Sequence, residues 1–105
     1  MKKMEKLKNQ TNGKANKRTV YLKFDDDISA LAGFDYGRKV YREQANGEDF
    51  DEVVFPNQIE LVAISFVQGF FSRMIEKYGA EYVRSHCRIL SSNAELTKKI
   101  KNDIY

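Results

Sequence analysis

The segment from Val53 to Tyr78 constrains the fold more than any other stretch of the chain. It starts as a short apolar run, passes a Pro-Asn pair at 56–57, and from Ser65 carries apolar residues at 66, 67, 70, 71, 74, 75 and 78. Gaps of three and four residues put all seven on one helical stripe, roughly 100° wide or more. Arg73, Glu76 and Lys77 are the only charges in the stripe's span, and all lie near its end. A helix from Ser65 to Tyr78 is therefore expected as the main core element. It opens at a serine and closes at Gly79, a residue type that readily ends helices.

The remaining segments read as partners for that helix. From Arg18 to Phe24, Val20, Leu22 and Phe24 alternate with Thr19, Tyr21 and Lys23, which predicts a half-buried strand. Asp25-Asp26-Asp27 ends it as a solvated loop, since adjacent acids lack the spacing of a calcium loop. Ile28 to Ala32 fits either a helical turn or a short strand, and Gly33 breaks it. Phe34 to Ala45 predicts a helix with Val40, Tyr41 and Tyr36 inward, Arg38, Lys39 and Arg42 outward, and Asn46-Gly47 as its stop. Gly37 within it costs about 1 kcal/mol against Ala, which points to close packing at that position.

Phe50 to Phe55 is a second, buried strand, halted by Pro56 because proline cannot donate to a sheet ladder. Ile59 to Ile64 then carries the chain across the sheet end. Ala80 to Arg84 reads as a further turn and His86 to Leu90 as a third core strand. Ser92-Asn93-Ala94-Glu95 matches a capping box that opens a last helix, docked by Leu96, Ile100 and Ile104. Strands alternating with helices predict an α/β sandwich with a partly parallel sheet. At 105 residues the chain holds one domain, with a core large enough to dispense with disulfides.

The net charge of +3 is unevenly placed. Residues 1–18 hold seven Lys or Arg against Glu5 alone, whereas the other 87 hold 11 basic and 14 acidic groups. Residues 1–17 lack a hydrophobic period and form an expected mobile basic tail, leaving 18–105 as the folded domain. Lys2, Lys3, Lys6, Lys8, Lys14 and Lys17, with Arg38, Lys39 and Arg42, are the candidate contacts for an acidic partner such as nucleic acid. The tail has no aromatic residue to stack on bases. No apolar run approaches the roughly 20 residues of a membrane span. The basic start leads into polar residues, so a cytoplasmic protein without a membrane partner is expected.

Catalytic chemistry finds little support. Cys87 is the only cysteine and His86 the only histidine, so a disulfide and a cysteine-based zinc site are excluded within the chain. Neighbours on a strand point to opposite faces, which separates His86 from Cys87 if both belong to the third strand. The Gly-x-Ser-x-Gly elbow, the phosphate-binding loop and the dinucleotide fingerprint are missing. The acid pairs Asp26/Asp27 and Asp51/Glu52 read as exposed. No enzyme activity, metal or cofactor is expected.

Ser65 remains. As the opening residue of a helix it suits a cap, accepting a bond from a backbone N–H two or three residues on. A phosphate there would be tolerated by the helix dipole while disturbing a docked partner. The stretch VVFPNQIELVAISFVQGFFSRMIEKYG, with the preceding GRKVYREQA, resembles the STAS-like domain family of unknown function, which is related to the sulfate-transporter and anti-sigma-factor-antagonist (STAS) fold. The resemblance covers about residues 19–102. It implies a STAS-like sandwich, a mixed sheet of about four strands with helices packed on it, and a non-enzymatic regulatory or signalling role in protein binding. In bacterial anti-sigma-factor antagonists a partner kinase phosphorylates a serine at the start of the corresponding helix, and Ser65 of LVAISFVQG falls on that position. The chain departs from the pattern at Ala63, where an acid is usual, and at Ile64 and Phe66, where small residues are usual. The implied partner is a protein of the kinase or ATPase-regulator kind, met by Ser65, Phe66, Gln68 and Gly69.

Overall fold

The computed structural model describes residues 17–105. In chain order the elements are β1 (Thr19–Tyr21), β2 (Ala30–Leu31), α1 (Phe34–Gln44), β3 (Glu52–Val54), β4 (Leu61–Val62), α2 (Ile64–Phe70), α3 (Ser72–Tyr78), α4 (Ala80–His86), β5 (Arg88–Leu90) and α5 (Ala94–Asn102). β1, β3 and β5 form a parallel sheet in the order β1-β3-β5, and β2 and β4 form a second parallel pair. Parallel strands need long crossovers. α1 supplies the first, and α2, α3 and α4 together supply the second.

The expected α/β class is present, but the expected mixed sheet is not. Among the described residues every strand pairing is parallel, in sheets of three and two strands. Ile28–Ala32, left open between turn and strand, resolves as β2, and the crossing at Ile59–Ile64 contains its partner β4. A two-residue ladder carries too few side chains to display a period. Its pairing, Ala30 with Leu61 and Leu31 with Val62, is fixed by segments about 30 positions apart.

In the larger sheet the register aligns Val20, Val53 and Ile89 in one row, all buried. The rows on either side point the other way. Thr19, Glu52 and Arg88 make a polar row, in which Thr19 donates to Glu52 Oε1 (2.9 Å) and Arg88 lies 3.5 Å from Glu52 Oε2. Tyr21, Val54 and Leu90 make an apolar row that stays exposed or half-buried.

The helix predicted over Ser65–Tyr78 is bent into α2 and α3 at Phe71. Main-chain bonds cross the bend, from Phe71 N–H to Val67 C=O (3.1 Å) and from Ile75 N–H to Phe71 C=O (2.8 Å). The Ser72 hydroxyl donates to the Gly69 carbonyl (2.9 Å), and a glycine with a back-bonding serine is a common cause of kinks. The stripe still packs inward, with Phe66, Val67, Phe70, Phe71 and Met74 buried, but Ile75 is half-buried and Tyr78 is exposed. Phe50, Phe55, Phe66, Phe70, Phe71 and Tyr41 interlock as one aromatic cluster, with ring centroids 5.0–6.5 Å apart. Offset and tilted pairs of this kind add about 0.5–1.5 kcal/mol each beyond their buried area.

Polar side chains pin the loops around that cluster. The Arg18 guanidinium donates to the carbonyls of Ala45, Glu48 and Asp49 (2.7–3.0 Å), holding the turn after α1. Gln58 Nε2 donates to the Asp25 carbonyl (2.7 Å), which anchors the acidic loop. Ala80–His86 forms a full helix, where only a turn was expected over Ala80–Arg84, so the third strand begins at Arg88 and not at His86. The last helix is capped by Asn93, whose side chain accepts from Leu96 N–H (2.8 Å). The neighbouring Ser92, expected to open the capping box, instead donates to Ile59 C=O (3.3 Å). Leu96, Ile100 and Ile104 dock as predicted.

Candidate interaction site

Ser65 lies where two helices begin side by side. α1 and α2 cross in contact at two glycines. A Cβ at Gly69 would overlap the Phe34 carbonyl oxygen, and one at Gly37 would overlap the Phe66 carbonyl and press on the Phe70 nitrogen (2.7 Å). The close packing inferred for Gly37 is thus met, with Gly69 as its counterpart. This approach brings Gly33, just before α1, beside Ser65, and the Gly33 N–H donates to Ser65 Oγ (2.9 Å).

That bond corrects the reading of Ser65 as a cap. Ala63 occupies the N-cap position of α2 and makes no side-chain bond, which leaves Ser65 as the second helical residue. The serine oxygen serves a neighbouring segment and not its own helix. Its hydroxyl hydrogen has no acceptor among the described residues. Ser65 is exposed, and so are Phe34 (44%), Ile64 (46%) and Leu61 (58%), the large apolar residues nearest it along α1, α2 and β4.

The other residues assigned to a partner surface are differently placed. Phe66 is fully buried and stacks on Phe70 (5.9 Å), and Gly69 is sealed against Phe34, so neither offers a side chain outward. Both face the helix crossing because the buried stripe of α2 runs through them. Gln68 is half-buried and donates to the Asp103 carbonyl (2.5 Å), tying α2 to the end of α5. Ile64, Leu61 and Phe34 were missed because exposure of an apolar residue at a helix start leaves no periodic signature.

Arg38, Lys39 and Arg42 are exposed on the outer side of α1, as expected. Lys17 is exposed, whereas Lys2, Lys3, Lys6, Lys8 and Lys14 lie outside the described residues, as does most of the expected basic tail.

The surface around His86 and Cys87 is built on α3 and α4. Tyr78, Tyr82 and His86 stack in succession, with centroids 4.9 and 3.8 Å apart, at the four-residue spacing that aligns helical side chains. With Asp49, Asp51 and Cys87 they line a cavity of about 140 Å³. His86 and Cys87 therefore share a cavity, contrary to the strand-based expectation, because His86 ends a helix. They do not bond to each other. His86 Nδ1 lies 3.0 Å from the Tyr82 carbonyl, and the Cys87 thiol lies 3.5 Å from the Phe50 carbonyl. Burial, helped by the nearby Asp51 and Asp49 charges, pushes the thiol up to about 11, so it stays protonated at neutral pH. Asp49 is held below the usual carboxylate range, first by the Tyr78 hydroxyl (2.5 Å) and then by Lys77 (3.0 Å).

Among the described residues no group of three or more His, Cys, Asp or Glu could hold a metal ion, and no helix is long and apolar enough to cross a membrane. Comparison with known protein families, with curated proteins and with solved structures found no match in any of the three.

Proposed function

We propose that the chain is a non-enzymatic regulatory module that binds another protein over the opening turns of α1 and α2, with Ser65 at the centre of the contact. The observation that carries this reading is an exposed hydroxyl whose oxygen is already engaged by Gly33, with Phe34, Leu61 and Ile64 exposed on the three elements that lead up to it. Exposed apolar side chains grouped near one polar position are the usual make-up of an interface core. The resemblance to the STAS-like family adds the partner class, a kinase or ATPase-type regulator. It also adds a mode of control, partner switching through phosphorylation of Ser65. A phosphate there would place about two negative charges at the first turn of α2, where the helix dipole favours them. The same charge amid Phe34, Leu61 and Ile64 would oppose an apolar partner surface.

The test uses a kinase encoded beside the chain in its native genome. The purified chain is incubated with it and ATP, and phosphate on Ser65 is read by mass spectrometry. Binding of the same protein is compared between the native chain, Ser65→Asp, Ile64→Lys, and Tyr21→Lys on the open sheet face. The expected result is binding lost in the first two variants and kept in the third. Equal binding by Ser65→Asp and Ile64→Lys would remove the reading.

A second reading, association with nucleic acid through the basic N-terminal residues together with Arg38, Lys39 and Arg42, is favoured by the exposure of those three along one side of α1. Affinity that falls steeply with salt and vanishes on deletion of residues 1–17 would support it.

A further inference from the structure

Beyond the opening turns, toward the other end of α1, the outer arginines share a pocket with a third, 31 positions on from Arg42, that no periodicity groups with them. Arg38 and Arg42 from α1 and Arg73 from α3 line a pocket of about 70 Å³, closed by Tyr41, Gly47 and Ser72. Drug-sized sites run to about 300–1,000 Å³, whereas this volume suits a few water-sized groups held together, the scale of one tetrahedral oxyanion.

Two observations point to a ligand. The first is uncompensated charge: among the described residues none of the three guanidinium groups has a carboxylate within ion-pair distance. Asp49, the acid whose charge acts on the Tyr41 hydroxyl, is taken up by Lys77 and Tyr78. The second is Tyr41. This residue is only 4% exposed, its ring is wedged against Phe50 and Phe70, and its hydroxyl has no hydrogen-bond partner among the described residues. Polar groups in folded proteins are nearly always satisfied, and because Tyr41 lines the pocket, whatever fills that pocket is what can accept its unpaired proton. Burial first, and then the nearby Asp49 charge, raise the Tyr41 phenol above its usual range against the opposing Arg73, Lys77 and Arg18 charges, so it stays a neutral donor. Ser72 is not a free donor, because its proton is committed to the Gly69 carbonyl.

We propose that this pocket binds the terminal phosphate of a small phosphorylated molecule, with Arg38, Arg42 and Arg73 as the guanidinium clamp and Tyr41 as the neutral donor. Guanidinium groups match phosphate oxygens in pairs and keep their charge at all physiological pH. A terminal phosphate presents three unesterified oxygens, enough for the clamp and the phenol together. A phosphodiester within a nucleic acid presents two, and its flanking sugars would keep it from seating in a pocket of about 70 Å³. The ligand class is accordingly a phosphate monoester and not a polymer backbone.

The test titrates the full chain with phosphoserine, inorganic phosphate and a single-stranded oligonucleotide, read by calorimetry and by NMR of the arginine and tyrosine side chains. Saturable binding of phosphoserine that shifts Tyr41 signals is expected, with inorganic phosphate binding at the same signals if the alcohol portion adds little. Arg42→Gln and Arg73→Gln should each weaken it roughly ten-fold, the loss of one charge-assisted pair. Tyr41→Phe should weaken it several-fold with no loss of thermal stability, because it removes an unpaired hydroxyl and keeps the ring. That variant keeps the proposal falsifiable should an arginine variant fold poorly. Lys98→Gln, on the exposed side of α5, should change nothing. No saturable shift at Tyr41, equal weakening by Lys98→Gln and Arg42→Gln, or binding of the oligonucleotide alone would each overturn the assignment. None of these outcomes depends on Ser65, so they leave the protein-docking reading untouched.

Discussion

Where α1 and α2 cross, there is no room for one extra carbon atom; at their opening turns, about one helical turn away, large side chains leave nearly half their surface in solvent. Gly37 and Gly69 let the two backbones touch, and Phe66 and Phe70 fill the space beneath. At the opening turns, Phe34, Ile64 and Ser65 are held by the same helices yet stay exposed, Phe34 and Ile64 keeping 44% and 46% of their surface in solvent. The contrast shows how a small domain can fix a surface residue in place without burying it. The crossing sets the position of both helix starts, and two bonds fasten them at the surface, Gly33 N–H to Ser65 Oγ (2.9 Å) and Ala63 N–H to Leu31 C=O (2.8 Å).

The comparison can be broken from its rigid side first. Phe70→Ala removes a fully buried ring that touches Tyr41, Phe50, Phe55, Phe66 and Phe71, and should cost about 3–5 kcal/mol in chemical denaturation. Gly69→Ala should cost about 3 kcal/mol, the upper part of the overpacking range, because the new methyl meets backbone that cannot rotate away. A cost under about 1 kcal/mol in either variant would mean the crossing is loose.

The interior can also be probed by pH, at Cys87. Its folded pKa is raised to about 11 from an ordinary 9.0, so its contribution to stability is fully present below pH 9. As the pH climbs from 9 through 11 the unfolded chain sheds the thiol proton and the folded chain does not. That contribution is lost by up to about 3 kcal/mol, against a Cys87→Ala control measured over the same range. In the native state below pH 9 the thiol should resist iodoacetamide and react only on unfolding.

The exposed side should respond far less. Ser65→Ala removes one bond at a wet position and should cost about 0.5–1 kcal/mol, read as a small shift in the melting midpoint. Ile64→Lys should stay within about 0.5 kcal/mol of the native chain while abolishing partner binding. If Ile64→Lys instead destabilises the fold as much as Gly69→Ala does, the opening turn belongs to the core and the contrast between the two regions disappears.

Much of the core was legible before any coordinates. Val20, Leu22, Val40, Tyr41, Leu96, Ile100 and Ile104 are inward because each repeats at the period of its own element, and the stripe at 66, 67, 70, 71 and 74 is buried for the same reason. Gly37 was readable as a packing site because a glycine inside a helix costs stability unless something replaces its missing side chain. Of the proposed surface, only Ser65 and the charge on α1 could be found from the chain, and Ser65 was given the wrong hydrogen-bond partner. Phe66 and Gly69, its neighbours in sequence, turned out to lie inside.

The order of residues alone specified α1, α5 and the long apolar stripe of α2 and α3 as helical, the strands of the larger sheet as extended, and which sides of these avoid water. These are properties of neighbours a few positions apart, written as periods of two or of three to four. Only the tertiary structure decided that all strand pairings among the described residues run parallel, that Gly33 donates to Ser65 across 32 positions, and that Arg73 joins Arg38 and Arg42 around Tyr41. Each of those depends on two remote segments meeting, and a meeting has no period: it is set by the volume of the side chains between the segments and by which backbone groups still lack partners.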